Sequence, residues 1–210
     1  MAKYIEEKMF SGIVEEKGSI KAIHQGNEIV KLEIGCSQNL SKDKQVGDSI
    51  SVDGVCLTIT ELTDGCLSFD AVQETLDRTI IGNYKVGSVV NLESSLKFGG
   101  SVGGHLMSGH IHLKGNIKEV LIVGDGKDLV IETDDEWSKY VHEKGYIGIN
   151  GCSITIGKVN ETRFKVHLIP ETLKSTNLDD LIFNDDVNLE IDQSTIAIVD
   201  TTTRILSNKG

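Results

Sequence analysis

The chain repeats itself at one fixed spacing, and this limits the architectures open to it more than any other feature. Asp53-Gly54 recurs as Asn150-Gly151, 97 positions later. The same offset lays Gly12 on Gly109, Lys17-Gly18 on Lys114-Gly115 and Glu74-Thr75-Leu76 on Glu171-Thr172-Leu173. It also lays Val90-Asn91-Leu92-Glu93 on Val187-Asn188-Leu189-Glu190. Repeat arrays have periods of about 20–50 residues. Here each copy is the size of a whole domain, so the pattern is a tandem duplication. The expected division is an extension over residues 1–8, one domain over 9–104, its copy over 105–192 and a tail over 193–210.

Each copy reads as β. In Ile29-Val30-Lys31-Leu32-Glu33-Ile34 the apolar side chains alternate with charged ones, and Cys56-Leu57-Thr58-Ile59-Thr60 and Leu67-Ser68-Phe69-Asp70-Ala71 alternate likewise. Many short strands joined by glycine-bearing turns predict a barrel or sandwich. Helix signals are brief. Thr133-Asp134-Asp135-Glu136 has capping-box spacing, and Pro170 is placed to open a short helix through Glu171-Thr172-Leu173. In the tail, Ile196, Val199, Ile205 and Leu206 predict an apolar stripe on a last helix that packs on something, such as further copies of the chain.

The 210 residues carry 21 Lys+Arg against 32 Asp+Glu, a formal charge of −11. Such a surface repels phosphate backbones and excludes nucleic acid as a partner class. No apolar run reaches the roughly 20 residues of a membrane helix, and the first residues lack the apolar core of a signal peptide. A cytoplasmic protein is expected. Cys36, Cys56, Cys66 and Cys152 form no CxxC pair, which argues against zinc-ribbon and thioredoxin readings.

Strand alternation places Leu57 and Ile59 inside the first barrel, with Cys56, Thr58 and Thr60 outside. In the copy, Ile154 and Ile156 point in while Ser153 and Thr155 point out. Asp70 and Val72 are matched by His167 and Ile169 on the following strands. Each copy therefore offers hydroxyls, a polar strand and a Glu-Thr-Leu turn on one outer surface, suited to a small ligand with several hydroxyls and hydrogen-bonding ring edges. The alternative is that these are ordinary solvated positions. Cys56 and Ser153 occupy the same place in the two copies, so the surfaces have diverged there. Between the copies, Gly103-Gly104-His105-Leu106-Met107-Ser108-Gly109-His110-Ile111-His112 presents three histidines. With no carboxylate or cysteine nearby in sequence, this segment fits an acid–base or hydrogen-bonding histidine better than a metal site.

Four segments resemble the riboflavin synthase family, α-chain type: Met9-Phe10-Ser11-Gly12-Ile13-Val14-Glu15, Asp53-Gly54-Val55-Cys56-Leu57-Thr58, Gly103 to His110, and His167-Leu168-Ile169-Pro170-Glu171-Thr172-Leu173. The likeness runs from Met9 to about Leu206. It implies an all-β fold of two tandem six-stranded Greek-key barrels plus a C-terminal α-helix, assembled as a homotrimer. It implies a dismutation in which two molecules of 6,7-dimethyl-8-ribityllumazine exchange a four-carbon unit, giving riboflavin and 5-amino-6-ribitylamino-pyrimidinedione. No cofactor or metal is implied. Association with lumazine synthase is implied as a further partnership.

By the same resemblance, Cys56, Ser49, His110, Ser153 and Thr155 match catalytic positions. Phe10, Ser51, Thr58, Asp70, Val72 and Thr75 match substrate contacts of the first barrel. Lys144, Asn150, Ile169 and Thr172 match those of the second. Two departures stand out: eight residues precede the Met-Phe pair at which family members commonly begin, and Asp53 and Asn150 reverse the usual Asn and Asp. A related family of lumazine-binding fluorescent proteins shares the fold without turnover, but tends to lose the cysteine and the Gly-Gly-His to Gly-His segment that are both present here.

Overall fold

The computed structural model describes residues 8–26, 29–97 and 99–208; all but the last residue of the expected extension lies outside them. Twelve strands form two closed six-stranded barrels. The first comprises β1 (Glu16–Gln25), β2 (Ile29–Gly35), β3 (Ser49–Val52), β4 (Val55–Thr63), β5 (Cys66–Val72) and β6 (Val89–Ser94), with α1 (Gln38–Ser41) and α2 (Gln73–Arg78) in its connections. The second comprises β7 (Leu113–Val123), β8 (Gly126–Glu132), β9 (Tyr146–Ile149), β10 (Cys152–Asn160), β11 (Arg163–Leu168) and β12 (Asp186–Ile191), with α3 (Asp135–Ser138) and α4 (Pro170–Ser175). The barrel order β1-β2-β5-β4-β3-β6 is repeated strand for strand by the second copy. Bulges recur at the same places too, after Ile20 in β1 and after Ile117 in β7. Such bulges bend the strands that closure requires to curve.

The interiors are filled by the inward half of each alternation. Leu32, Ile34, Ile50, Ile59 and Leu92 have fully buried mates in Leu129, Ile131, Ile147, Ile156 and Leu189. One exchange keeps the volume nearly constant. Leu67 and Phe69 of β5 become Phe164 and Val166 of β11, so the aromatic ring moves two positions along the strand.

A buried polar knot with pseudo-two-fold symmetry joins the barrels. The β3–β4 turn, Asp53-Gly54, faces its copy, Asn150-Gly151. Both residues of each turn have positive φ, as a tight hairpin of this kind demands. A Cβ on Gly54 would lie 2.8 Å from the Gly151 nitrogen, and one on Gly151 would lie 2.7 Å from the Gly54 nitrogen. Only glycine permits that approach. The Asn91 N–H donates to Asp53 Oδ1 (2.7 Å), mirrored by the Asn188 N–H to Asn150 Oδ1 (2.8 Å).

Symmetry breaks where the departures from the family pattern lie. Asp53 Oδ2 accepts from the Tyr84 hydroxyl (2.6 Å) and Oδ1 from Asn177 Nδ2 (2.9 Å). The mates of these two donors are Leu181 and Ile80, which cannot donate to a side chain at position 150. An acceptor-only group thus sits on the side with more donors, and an amide on the side with fewer.

The helices need two corrections. Thr133 does not cap α3. Its hydroxyl donates instead to the Thr162 carbonyl (3.1 Å), and the N-cap is Asp134, with no side-chain bond. α4 does open at Pro170, as expected. The tail forms α5 (Gln193–Ser207), but only part of its apolar surface packs within the chain. Ile196 and Val199 pack on the second barrel, and the Tyr140 hydroxyl donates to Asp200 Oδ1 at 2.6 Å. Ile198, Ile205 and Leu206 remain exposed. No helix among the described residues is long and apolar enough to cross a membrane.

Candidate functional site

The two outer surfaces are built by equivalent parts. Before each barrel runs a lead-in segment, and the two segments pair once, at Phe10 and Met107, whose backbone groups exchange bonds of 2.8 and 3.0 Å. A carboxylate at the end of each barrel holds its own lead-in. Glu93 accepts from the Ser11 N–H and hydroxyl and the Gly12 N–H (2.6, 2.7 and 3.1 Å). Glu190 does the same for Ser108 and Gly109 (2.6, 2.8 and 3.1 Å). Burial raises both carboxyls, Glu190 to about 7, against the lowering effect of these donors.

Each lead-in then offers a carbonyl to the opposite barrel. The Cys56 N–H donates to Gly109 O and the Ser153 N–H to Gly12 O, both at 2.8 Å. Both glycines have positive φ, and a Cβ on Gly109 would lie 2.6 Å from that of Cys56. His110, exposed and next to Gly109, is thereby delivered to the Cys56 surface. Its mate Ile13 arrives at the Ser153 surface.

On the first barrel the outward residues Cys56 and Thr58 of β4 adjoin Ser49 of β3, which is paired with Thr58 in register. Burial pushes the Cys56 thiol up. A hydrogen bond with Ser49 and the charge of Lys8 offset part of that rise. Asp70 and Val72 are exposed at the end of β5, and Thr75 is half-buried in α2. The second barrel sets Ser153 and Thr155 of β10 beside Tyr146 of β9, with Ile169 exposed before α4 and Thr172 half-buried within it. Lys144 holds φ 66° where the repeat has Gly47, a conformation that costs a lysine energy, and its N–H donates to the Ile156 carbonyl next to Thr155 (2.9 Å). Across β2–β5, Lys31 lies opposite Asp70; across β8–β11, Asp128 lies opposite His167, with His167 Nδ1 2.6 Å from Asp128 Oδ1. The carboxylate of the pair thus lies on β5 in the first barrel and on β8 in the second.

Four residues expected to touch the ligand are covered within the chain. Phe10, Ser49, Ser51 and Asn150 are only 1%, 5%, 3% and 1% exposed. Asn150 is occupied in the knot between the barrels, and Phe10 lies under the Gly109 turn beside Cys56. They support the surfaces from below. Conversely, Glu93, Glu190 and Tyr146 join the surfaces without a sequence signal of their own, and His105 joins them as one of the three histidines between the copies. His105 Nδ1 lies 2.7 Å from Ser153 Oγ, and its ring stacks on Tyr146 (centroids 5.4 Å apart, planes at 17°). His112 faces away from both surfaces, against Trp137, with Nδ1 accepting from the Ile191 N–H (3.1 Å). No group of His, Cys, Asp and Glu suited to a metal occurs among the described residues.

The lumazine binding domain family matches twice, over residues 11–95 and 108–192. Riboflavin synthase of Escherichia coli is 39% identical over 200 residues, which span 95% of this chain and 94% of that protein. The chain belongs to the riboflavin synthase family. The riboflavin synthase of Chlamydia pneumoniae is likewise 39% identical, over 96% of this chain and 99% of its own. Among solved structures, LumP complexed with riboflavin superposes with a TM-score of 0.82 at 25% identity, covering 87% of this chain and 98% of that one. LumP complexed with 6,7-dimethyl-8-(1'-D-ribityl) lumazine gives 0.79 at 24% and shows the shared fold. The riboflavin synthase relatives thus match the whole length of both barrels, including the segments that carry Cys56, His110 and Ser153.

Proposed function

We propose that the chain catalyses the dismutation of two 6,7-dimethyl-8-ribityllumazine molecules to riboflavin and 5-amino-6-ribitylamino-pyrimidinedione, each barrel receiving one molecule on its outer surface. The observation that carries this reading is the pair of equivalent surfaces that differ at their reactive position, Cys56 against Ser153. Two identical substrates need two related pockets; opposite roles need different chemistry in them. Held face to face, two lumazines react as one unit, an effect able to supply about 7–11 kcal/mol.

The step itself is acid–base chemistry. The C7 methyl of one lumazine loses a proton, and the carbanion attacks C6 of the other, which is activated at C7. His110 moves the proton. Cys56, with Ser49 against it, adds to a ring or orients the water that does. Ser153 and Thr155 bind the reacting edge of the second lumazine. Thr58, Asp70 and Thr75 hold the first ligand, and Lys144 and Thr172 the second; the backbone at Val72 and Ile169 contributes to each. The four-carbon unit moves intact, so no oxidant, cofactor or metal is required.

The exposed Ile198, Ile205 and Leu206 of α5 support a homotrimer in which the first barrel of one copy faces the second barrel of another. A cytoplasmic location and association with lumazine synthase complete the reading. Purified protein given the lumazine alone should form riboflavin at half the rate of substrate loss. Stable binding without product would favour instead a fluorescent lumazine carrier of the same fold.

A further inference from the structure

His105 contributes a feature that the first barrel does not share. Its ring is buried at 9% exposure, with one face on Tyr146 and its Nδ1 edge against Ser153. Nδ1 is engaged by Ser153 Oγ, while Nε2 is fully buried and has no hydrogen-bond partner among the described residues. The repeat mates of His105, Tyr146 and Ser153 are Lys8, Ser49 and Cys56. One surface thus sets a cation and a hydroxyl around a thiol, and the other sets an imidazole and a phenol around a hydroxyl.

A neutral imidazole carries a single proton. On Nε2 that proton would be a buried donor with nothing to meet, whereas most buried side-chain donors have a partner. On Nδ1 it meets the Ser153 oxygen. Burial lowers the ring's affinity for a second proton, against a smaller opposite effect of Asp192, so the neutral ring prevails near pH 7. With one lone pair of Oγ taken by Nδ1–H, the serine's own proton is left to point elsewhere. The backbone of Ser153 is fixed as well, by its bond to Gly12.

We propose that His105 is a positioning residue for the second barrel, donating from Nδ1 to Ser153 so that the Ser153 hydroxyl donates outward to an acceptor atom on the ring edge of the bound ligand. This rests on the lumazine reaction proposed above. It also gives the barrels different means of polarising a ligand: a directed neutral hydrogen bond in the second, a nearby positive charge in the first.

The test uses the full chain and the lumazine substrate. His105→Phe keeps a ring against Tyr146 but removes the donor. It should slow turnover about tenfold, as should Ser153→Ala, and the double variant should be no slower than Ser153→Ala alone. Independent, multiplying effects would overturn the proposal, as would a His105→Phe enzyme with wild-type turnover. Should His105→Phe fail to fold, 15N imidazole spectra of the wild-type protein decide. Protonated Nδ1 with bare Nε2 supports the assignment; the reverse tautomer refutes it. A wild-type protein that makes no riboflavin would sink the proposed reaction, and the spectra would still report on the hydrogen bond.

Discussion

Asn91 and Asn188 reach past each other between the barrels, each donating from Nδ2 to the backbone carbonyl of the opposite barrel's turn. Asn91 binds Asn150 O and Asn188 binds Asp53 O, both at 2.8 Å. Their Oδ1 atoms are equally matched, accepting from the Asn177 N–H (2.7 Å) and the Ile80 N–H (2.8 Å). Every polar atom of the two amides is used, which is the condition for burying them at little cost. Asn91→Ala leaves the Asn177 N–H and the Asn150 carbonyl without this partner. Urea denaturation should show a loss of about 2–3 kcal/mol, and the loss should not add to that of Asn177→Ala, which belongs to the same network.

Asp53 links the knot to pH. Burial pushes its carboxyl up to about 6, although Tyr84, Asn91 and Asn177 all favour the charged form. The unfolded chain releases this proton near 3.8. Below that value both states are protonated. Between about 4 and 6 the folded state keeps a proton that the unfolded state has lost, so stability falls as pH rises and levels off above 6. The contribution is on the order of 3 kcal/mol. Asp53→Asn should abolish this fall, visible as the difference between the two denaturation-midpoint profiles from pH 4 to 7. Glu190 adds its own decline up to about 7 in both proteins and cancels in that difference.

Cys56 should behave as a thiol and not as a thiolate. Its proton is held above the usual range, chiefly by burial, so alkylation by iodoacetamide should be slow at pH 7 and accelerate only above about pH 9. Cys152, pushed up to about 12 and buried, should react last. Cys56→Ala should lower turnover about tenfold or more, with Cys56→Ser intermediate, in a steady-state assay of riboflavin formation.

Gly151→Ala places a methyl against the backbone of Gly54 at a residue with φ 78°. Both the clash and the conformation oppose it, so the melting temperature should fall by about 5 °C or more. Gly87→Ala meets open space but still has positive φ, and should cost less.

The duplication, the barrels and the faces of Cys56, Thr58, Ser153 and Thr155 were legible because strand alternation is a local rule. The junction was not. Asn91 and Asn188 announce themselves only as repeated letters, since their partners lie 59 and 135 positions away. Asn150, read as a ligand contact, turned inward for the same reason: the turn that buries it belongs to the other copy. The role of His105 was hidden because Ser153, 48 positions on, gives it meaning only in three dimensions. Thr133 misled because capping spacing occurs wherever a threonine precedes an acid by three, and here the Thr162 carbonyl in the turn between β10 and β11 won the hydroxyl.

The lead-in segments constrain what heredity could do with this chain. Each is gripped by the carboxylate of its own barrel and gives its carbonyl to β10 or β4 of the neighbour. Neither barrel can be deleted without stripping the other's surface of its edge. Once duplicated, the two copies were free to specialise residue by residue, at 56 and 153, at 8 and 105, at 53 and 150, but no longer free to part.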